Sequence, residues 1–219
     1  MMQQMQQVAE RFAREVAEHR MSVLHDAGGY RHLRFARPGW GSHGAWDLIT
    51  VPGTLLIKGD YGDYVFRPWK VDTDQDAFDY IRQSRLGGLP DIDAWADKVT
   101  SGRDTIYRYD QQLLVEYVQA AVQEALERDQ DGRLAGLAEA VEWHILEELT
   151  GQEQVDHHLV EAFRYWADPE DEADEVEPDF CVPTYNRARF RHYDPGFVWC
   201  CLAIAHGVDT YDQAHTVAS

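Results

Sequence analysis

The chain has 219 residues, room for one large domain or two small ones, and its 44% hydrophobic and 27% charged residues are those of a globular protein. Thirty-nine acids against twenty bases give a net charge of −19, a field that repels nucleic acid and anionic membranes, favours basic partners and excludes direct reading of DNA. No run approaches the roughly 18 apolar residues of a membrane span, the N-terminus has no apolar signal core, and Cys181, Cys200 and Cys201 cannot form a disulfide framework, so a cytoplasmic chain is expected.

In chain order, residues 3–25 predict a helix from the spacing of Val8, Phe12 and Val16, stopped by Gly28-Gly29, so that 1–28 forms an N-terminal helical segment. Residues 29–68 predict an antiparallel meander. "YRHLRFARP" alternates, with Leu33 and Phe35 on one face and His32 and Arg34 on the other, and "WDLITV", "TLLIKG" and "DYVFRP" follow across turns at Pro52-Gly53 and Tyr61-Gly62. From 74 to 167 the period becomes helical, through "DQDAFDYIRQSR", "DIDAWADKVTSG", "DQQLLVEYVQAAVQEALERDQ", "GRLAGLAEAVEWHILEELT" and "QEQVDHHLVEAFRYWAD". Residues 168–180, with eight acids between Asp168 and Asp179, read as a solvated acidic loop. Residues 184–217 supply a late strand, "TYNRARFRHY", and a last helix that is apolar nearly all round and belongs at the centre of the packing. The expected fold is a single α+β domain: a small antiparallel sheet of four or five strands against a helical layer. Residues 45–66, the most regular stretch, are scaffold.

Several residue sets carry chemistry. Arg31, Arg34 and Arg37 fall on and around the first strand of the meander, and Arg187, Arg189 and Arg191 share one face of the late strand. If those strands neighbour each other, the arginines form a basic patch able to take a small nucleotide-like anion through bidentate contacts. Glu139, Glu142, Glu147 and Glu148, with Asp171, Glu172, Asp174 and Glu175 of the acidic block, make an acidic interaction surface. His144, Glu147 and Glu148 sit at i, i+3 and i+4 and would share a helix face as weak metal ligands, but the second paired ligand of a specific zinc motif is missing. Cys200 and Cys201 in an apolar helix read as small hydrophobes rather than nucleophiles. "GWGSHG" (39–44) joins two strands and opens no helix, so it lacks the anion site of a phosphate-binding loop and reads as a mobile connection. No catalytic residue and no cofactor is assigned.

The segment Trp46-Asp47-Leu48-Ile49-Thr50, Pro52-Gly53, Gly59-Asp60, Gly62, Tyr64 and Phe66 recurs with a C-terminal Phe197, Trp199-Cys200-Cys201, Ala203-Ile204, Gly207 and Tyr211-Asp212. Together these resemble a family of uncharacterised proteins encoded by tailed phages and prophages. His206 departs from the tryptophan found before the last glycine in related members. The resemblance transfers no catalytic residues. It implies a protein acting in the host cytoplasm, in a class where soluble acidic accessory proteins inhibit host defence. The leading expectation is therefore an inhibitor of a CRISPR or restriction complex, a host protein or ribonucleoprotein with a basic surface, by nucleic-acid mimicry. Capture of a small anion by the arginine strands and a metal-dependent hydrolase built on His144 and Glu148 are the alternatives. Oligomeric state is left open.

Overall fold

The computed structural model describes residues 2–68, 76–173 and 176–217, and its fold is α+β. Where the sequence suggests one domain, the chain gathers into two compact units, Met1–Tyr107 with Tyr193–Ser219, and Arg108–His192.

The first unit opens with α1 (Met2–Val16), which buries Val8, Phe12 and Val16 at helical spacing. The helix then stops, nine residues short of the predicted end, and Arg20–Ala27 forms a strand, β1. β1 pairs antiparallel with β2 (Tyr30–Ala36) across Gly28-Gly29, whose φ values of 58° and 88° are those of a two-residue hairpin turn rather than a helix stop. The meander continues through β3 (Trp46–Val51), β4 (Thr54–Gly59) and β5 (Tyr64–Phe66). Beyond it come α2 (Ala77–Gln83), a two-residue hairpin of β6 (Arg85–Leu86) and β7 (Leu89–Pro90), α3 (Ile92–Ala96) and β8 (Val99–Ser101). β8 pairs with β5, giving a six-stranded sheet of order β1-β2-β3-β4-β5-β8. The predicted helix over "DIDAWADKVTSG" is thus two elements. Asp91 caps α3 by accepting from the Ala94 amide, as its position suggests, but Val99 leaves the helix to enter the sheet, where it is buried.

One face of the sheet buries Leu33, Phe35, Trp46, Leu48, Leu55, Ile57, Tyr64 and Phe66. Against it lies the last helix of the chain, whose residues 197–205 are all buried, in agreement with its all-round apolar sequence. The contact is close at Gly207, where an added Cβ would collide with Leu48 Cδ1 and press on the Phe35 ring.

The second unit begins within a short strand, β9 (Tyr107–Tyr109), and is mostly helical. It holds α4 (Gln111–Arg128), α5 (Leu137–His144), α6 (Glu153–Ala162) and a single turn, α7 (Pro169–Ala173). Leu114, Val118, Leu137, Val141, Ile145, Val160 and Phe190 form its core. Inside that core Asp156 is wholly buried and accepts from the Thr150 amide and hydroxyl, the Gly151 amide and the Tyr109 hydroxyl. His157, also wholly buried, shares a hydrogen bond with the Tyr185 hydroxyl at 3.1 Å and lies among the rings of Tyr109, Tyr185 and Phe190.

The acidic block is largely exposed, as its composition suggests, but it carries the α7 turn and is tied down at its flanks. Its flanks are joined by the Tyr165–Phe180 bridge, Asp179 accepts from the Ala167 amide and pairs with Arg133, and the Trp166 indole donates to the Val176 carbonyl. The block has few apolar residues of its own, but its neighbours Tyr165 and Phe180 are anchored in the core and hold it by both ends. The late strand is also shorter than predicted. Arg187–Phe190 is a 3-10 turn capped by Asn186, and only β10 (Arg191–Tyr193) is extended, before α8 (Pro195–Val217), the central helix described above.

Candidate functional site

The two arginine groups do not make a strand pair. β2 is flanked in the sheet by β1 and β3, and the 3-10 turn destroys the alternation that would have put Arg187, Arg189 and Arg191 on one face. Each has its own local partner: Arg187 forks onto Glu161, Arg191 binds Glu153 at 2.7 Å, and Arg189 lies 4.7 Å from the Tyr117 ring centre.

Within β2 the pleat separates the others. Arg31 has the parity of Leu33 and Phe35 and points to the covered face, between the rings of Phe78 and Tyr211, bidentate to Asp76. Arg34 is on the opposite face against Asp47, in a shallow groove with Lys58, Asp60 and Asp63 where opposite charges offset one another. Arg37, beyond the strand end, pairs with Glu18 and lies 4.1 Å over Trp40. Arg31 is therefore a structural clamp: desolvation lowers its pKa, but the bonds to Asp76 and Tyr211 outweigh this and hold it above the ordinary arginine value.

The predicted histidine–glutamate face is broken as well. α5 ends at His144, Ile145 takes φ −122° and ψ −66°, and Glu147 and Glu148 fall in a separate 3-10 turn, so the i, i+4 spacing no longer stacks them. Among the described residues no three His, Cys, Asp or Glu side chains are grouped to hold a metal ion. Cys200 and Cys201 are both buried, and desolvation pushes both thiols well up from the ordinary value, which removes them as nucleophiles at neutral pH.

Of the acidic set, Asp174 and Glu175 lie outside the described residues. Glu139, Glu142, Glu147 and Glu148 are all exposed, and among the described residues none of them forms an ion pair. Glu172 is exposed too, whereas Asp171 is half-buried against Arg133. Trp143, one helical turn after Glu139 on α5, is 59% exposed. The unit that carries them holds twenty-one acids and seven bases, a net −14 of the chain's −19. An exposed indole on a helix that also carries exposed carboxylates is suited to docking on a basic, partly apolar surface.

The signal sequence reading missed was Trp143 itself, an aromatic on the polar side of a short amphipathic helix. A scan against protein-family models, a search of the curated proteins and a search of the solved structures each returned no match.

Proposed function

We propose that this protein is a binding protein whose acidic second unit docks on a basic protein surface. The observation that carries this reading is the exposed Trp143 on the helix of Glu139 and Glu142, followed by Glu147 and Glu148 in the next turn, four exposed carboxylates with no ion pair among the described residues. The indole supplies the desolvated anchor that concentrates binding energy, and the carboxylates speed encounter and select against acidic partners. The resemblance to phage-encoded proteins supplies the setting: the basic partner is a host defence protein or ribonucleoprotein, of CRISPR or restriction type, and the surface occupied is its nucleic-acid channel. Inhibition then follows by exclusion.

The test is a purified panel of such host complexes, scored for complex formation with this protein and for DNA or guide-RNA occupancy. A partner should bind in low salt, release steeply as salt rises, and lose its nucleic acid in competition. A Glu139→Lys, Glu142→Lys, Glu147→Lys, Glu148→Lys variant should lose the partner. Its fold should persist, because an exposed charge contributes only about 0–1 kcal/mol to stability. A variant that binds as well as the parent, with an unchanged salt profile, overturns the proposal.

A further inference from the structure

The first unit holds a cavity of about 230 Å³ that no part of the acidic-docking reading uses. Its walls come from far apart in the chain: Arg14 from α1, His19 from the turn that follows, Arg37 and Trp40 from the end of β2 and its loop, and Tyr61 packed on Trp199 of α8. We propose that this cavity is a binding site for a small aromatic anion of nucleoside monophosphate size.

The charge balance inside the cavity points that way on an otherwise acidic chain. Among the described residues its one lining carboxylate, Glu15, is already occupied. Arg11 Nε donates to Oε1 at 2.7 Å, while the Tyr61 hydroxyl and the Trp199 indole donate to Oε2, each at 2.9 Å. Arg14 has no ion-pair or hydrogen-bond partner among the described residues and is exposed at the mouth. Its guanidinium is thus available to an incoming phosphate or carboxylate, with Arg37 beside the mouth held by the exposed Glu18. The remaining wall is aromatic. Trp40 is 51% exposed, and Tyr61 stacks on Trp199 with ring centres 4.2 Å apart. Rings and an unpaired guanidinium around one space suit a ligand that joins a planar ring to an anionic group.

The 39–44 loop is anchored at its last residue. The His19 ring donates from Nε2 to the Gly44 carbonyl at 3.0 Å, and Asp60 accepts from the Gly44 amide at 2.8 Å. Gly44 has φ 69°, a left-handed conformation that glycine adopts without strain. These bonds fix the Gly44 side of the cavity wall, which lowers the ordering cost of binding on that side. Its volume of about 230 Å³ falls below the usual range of about 300–1,000 Å³ for small-molecule sites, which favours an occupant no larger than a single nucleoside monophosphate.

The test titrates the full chain with nucleoside 5′-monophosphates by calorimetry and by the fluorescence of Trp40 and Trp199, with the parent nucleosides and inorganic phosphate as separate arms. At least one monophosphate should bind and quench the tryptophans, about tenfold more tightly than either fragment. Arg14→Ala removes a side chain with no ion-pair or hydrogen-bond partner among the described residues and should weaken the monophosphate about tenfold while leaving the nucleoside unchanged. Trp40→Leu should weaken both. Absence of binding by every monophosphate at millimolar concentration, equal binding of phosphate alone or nucleoside alone, or an Arg14→Ala variant that binds like the parent each overturns the proposal.

Discussion

The two units treat their charges in opposite ways. In the first, arginines are matched to carboxylates across the packing: Arg31 to Asp76, Arg34 to Asp47, Arg82 to Asp212 and Arg85 to Asp209, leaving a net −5 by sequence. In the second, seven bases face twenty-one acids and most carboxylates have no cation to meet. Charge that is internally paired fixes elements in place, whereas charge left over is available to a partner. The apolar cores differ as well. The first unit buries an aromatic layer between a sheet and one long helix, while the second encloses a buried carboxylate and a buried imidazole among short helices.

The largest effect tests whether the units are separate in stability as well as in contact. Phe197→Ala removes a fully buried ring that meets Tyr64 at 5.1 Å and should cost about 3–5 kcal/mol. Hydrogen exchange should then show lost protection in β2–β5 and α8, with α4 and α6 retaining theirs. Simultaneous loss in both units would show that they unfold as one, and the comparison would end there.

In the second unit, Asp156→Ala strands the four donors that now point at one carboxylate, and should lower stability by about 3 kcal/mol in a denaturant melt. Asp156→Asn, which keeps acceptor oxygen at the same place, should recover part of that. An alanine variant as stable as the parent would mean that water replaces the carboxylate and that this core is less closed than its burial indicates.

The smallest effect is on pH dependence. Burial depresses the pKa of His157 below the ordinary histidine value of 6.5, and the neighbouring Arg187 adds to this, against the opposing carboxylates of Glu153, Glu161 and Asp156. The unfolded chain therefore takes up a proton before the folded one does. Stability contributed by the neutral ring is complete above pH 6.5 and falls as the pH drops below it, levelling once the folded state is also protonated. His157→Gln should flatten this segment of the stability profile between neutral pH and pH 5, roughly the interval in which histidine titrates. His206 is depressed for the same first reason in the other unit, so an unchanged slope in the His157 variant would assign the effect there.

The legible part of this fold was the part whose burial follows a local period. β2 to β5 alternate because one face is covered, α4 repeats at helical spacing, and α8 is apolar all round because other elements pack on every side of it. β1 escaped because seven of its eight residues are exposed, so no apolar alternation marks it, and its helix-forming composition runs on from α1. β8 escaped because its three residues are a strand only by virtue of pairing with β5, more than thirty positions earlier. Of the candidate residues, Glu139 and Glu142 were readable as part of a polar helix face, whereas Glu147 and Glu148 lie in the 3-10 turn beyond it. The separation of Arg31 from Arg34 was readable in principle from their opposite parity in an alternating strand.

Sequence by itself determined the α+β class, the central helix and the excess of acid, since these depend on periodicity and composition. Tertiary structure alone decided which charges are matched and which are left over. It alone brought Arg14, Arg37, Trp40 and Trp199 to one cavity, because contacts between distant residues leave no local pattern in the chain.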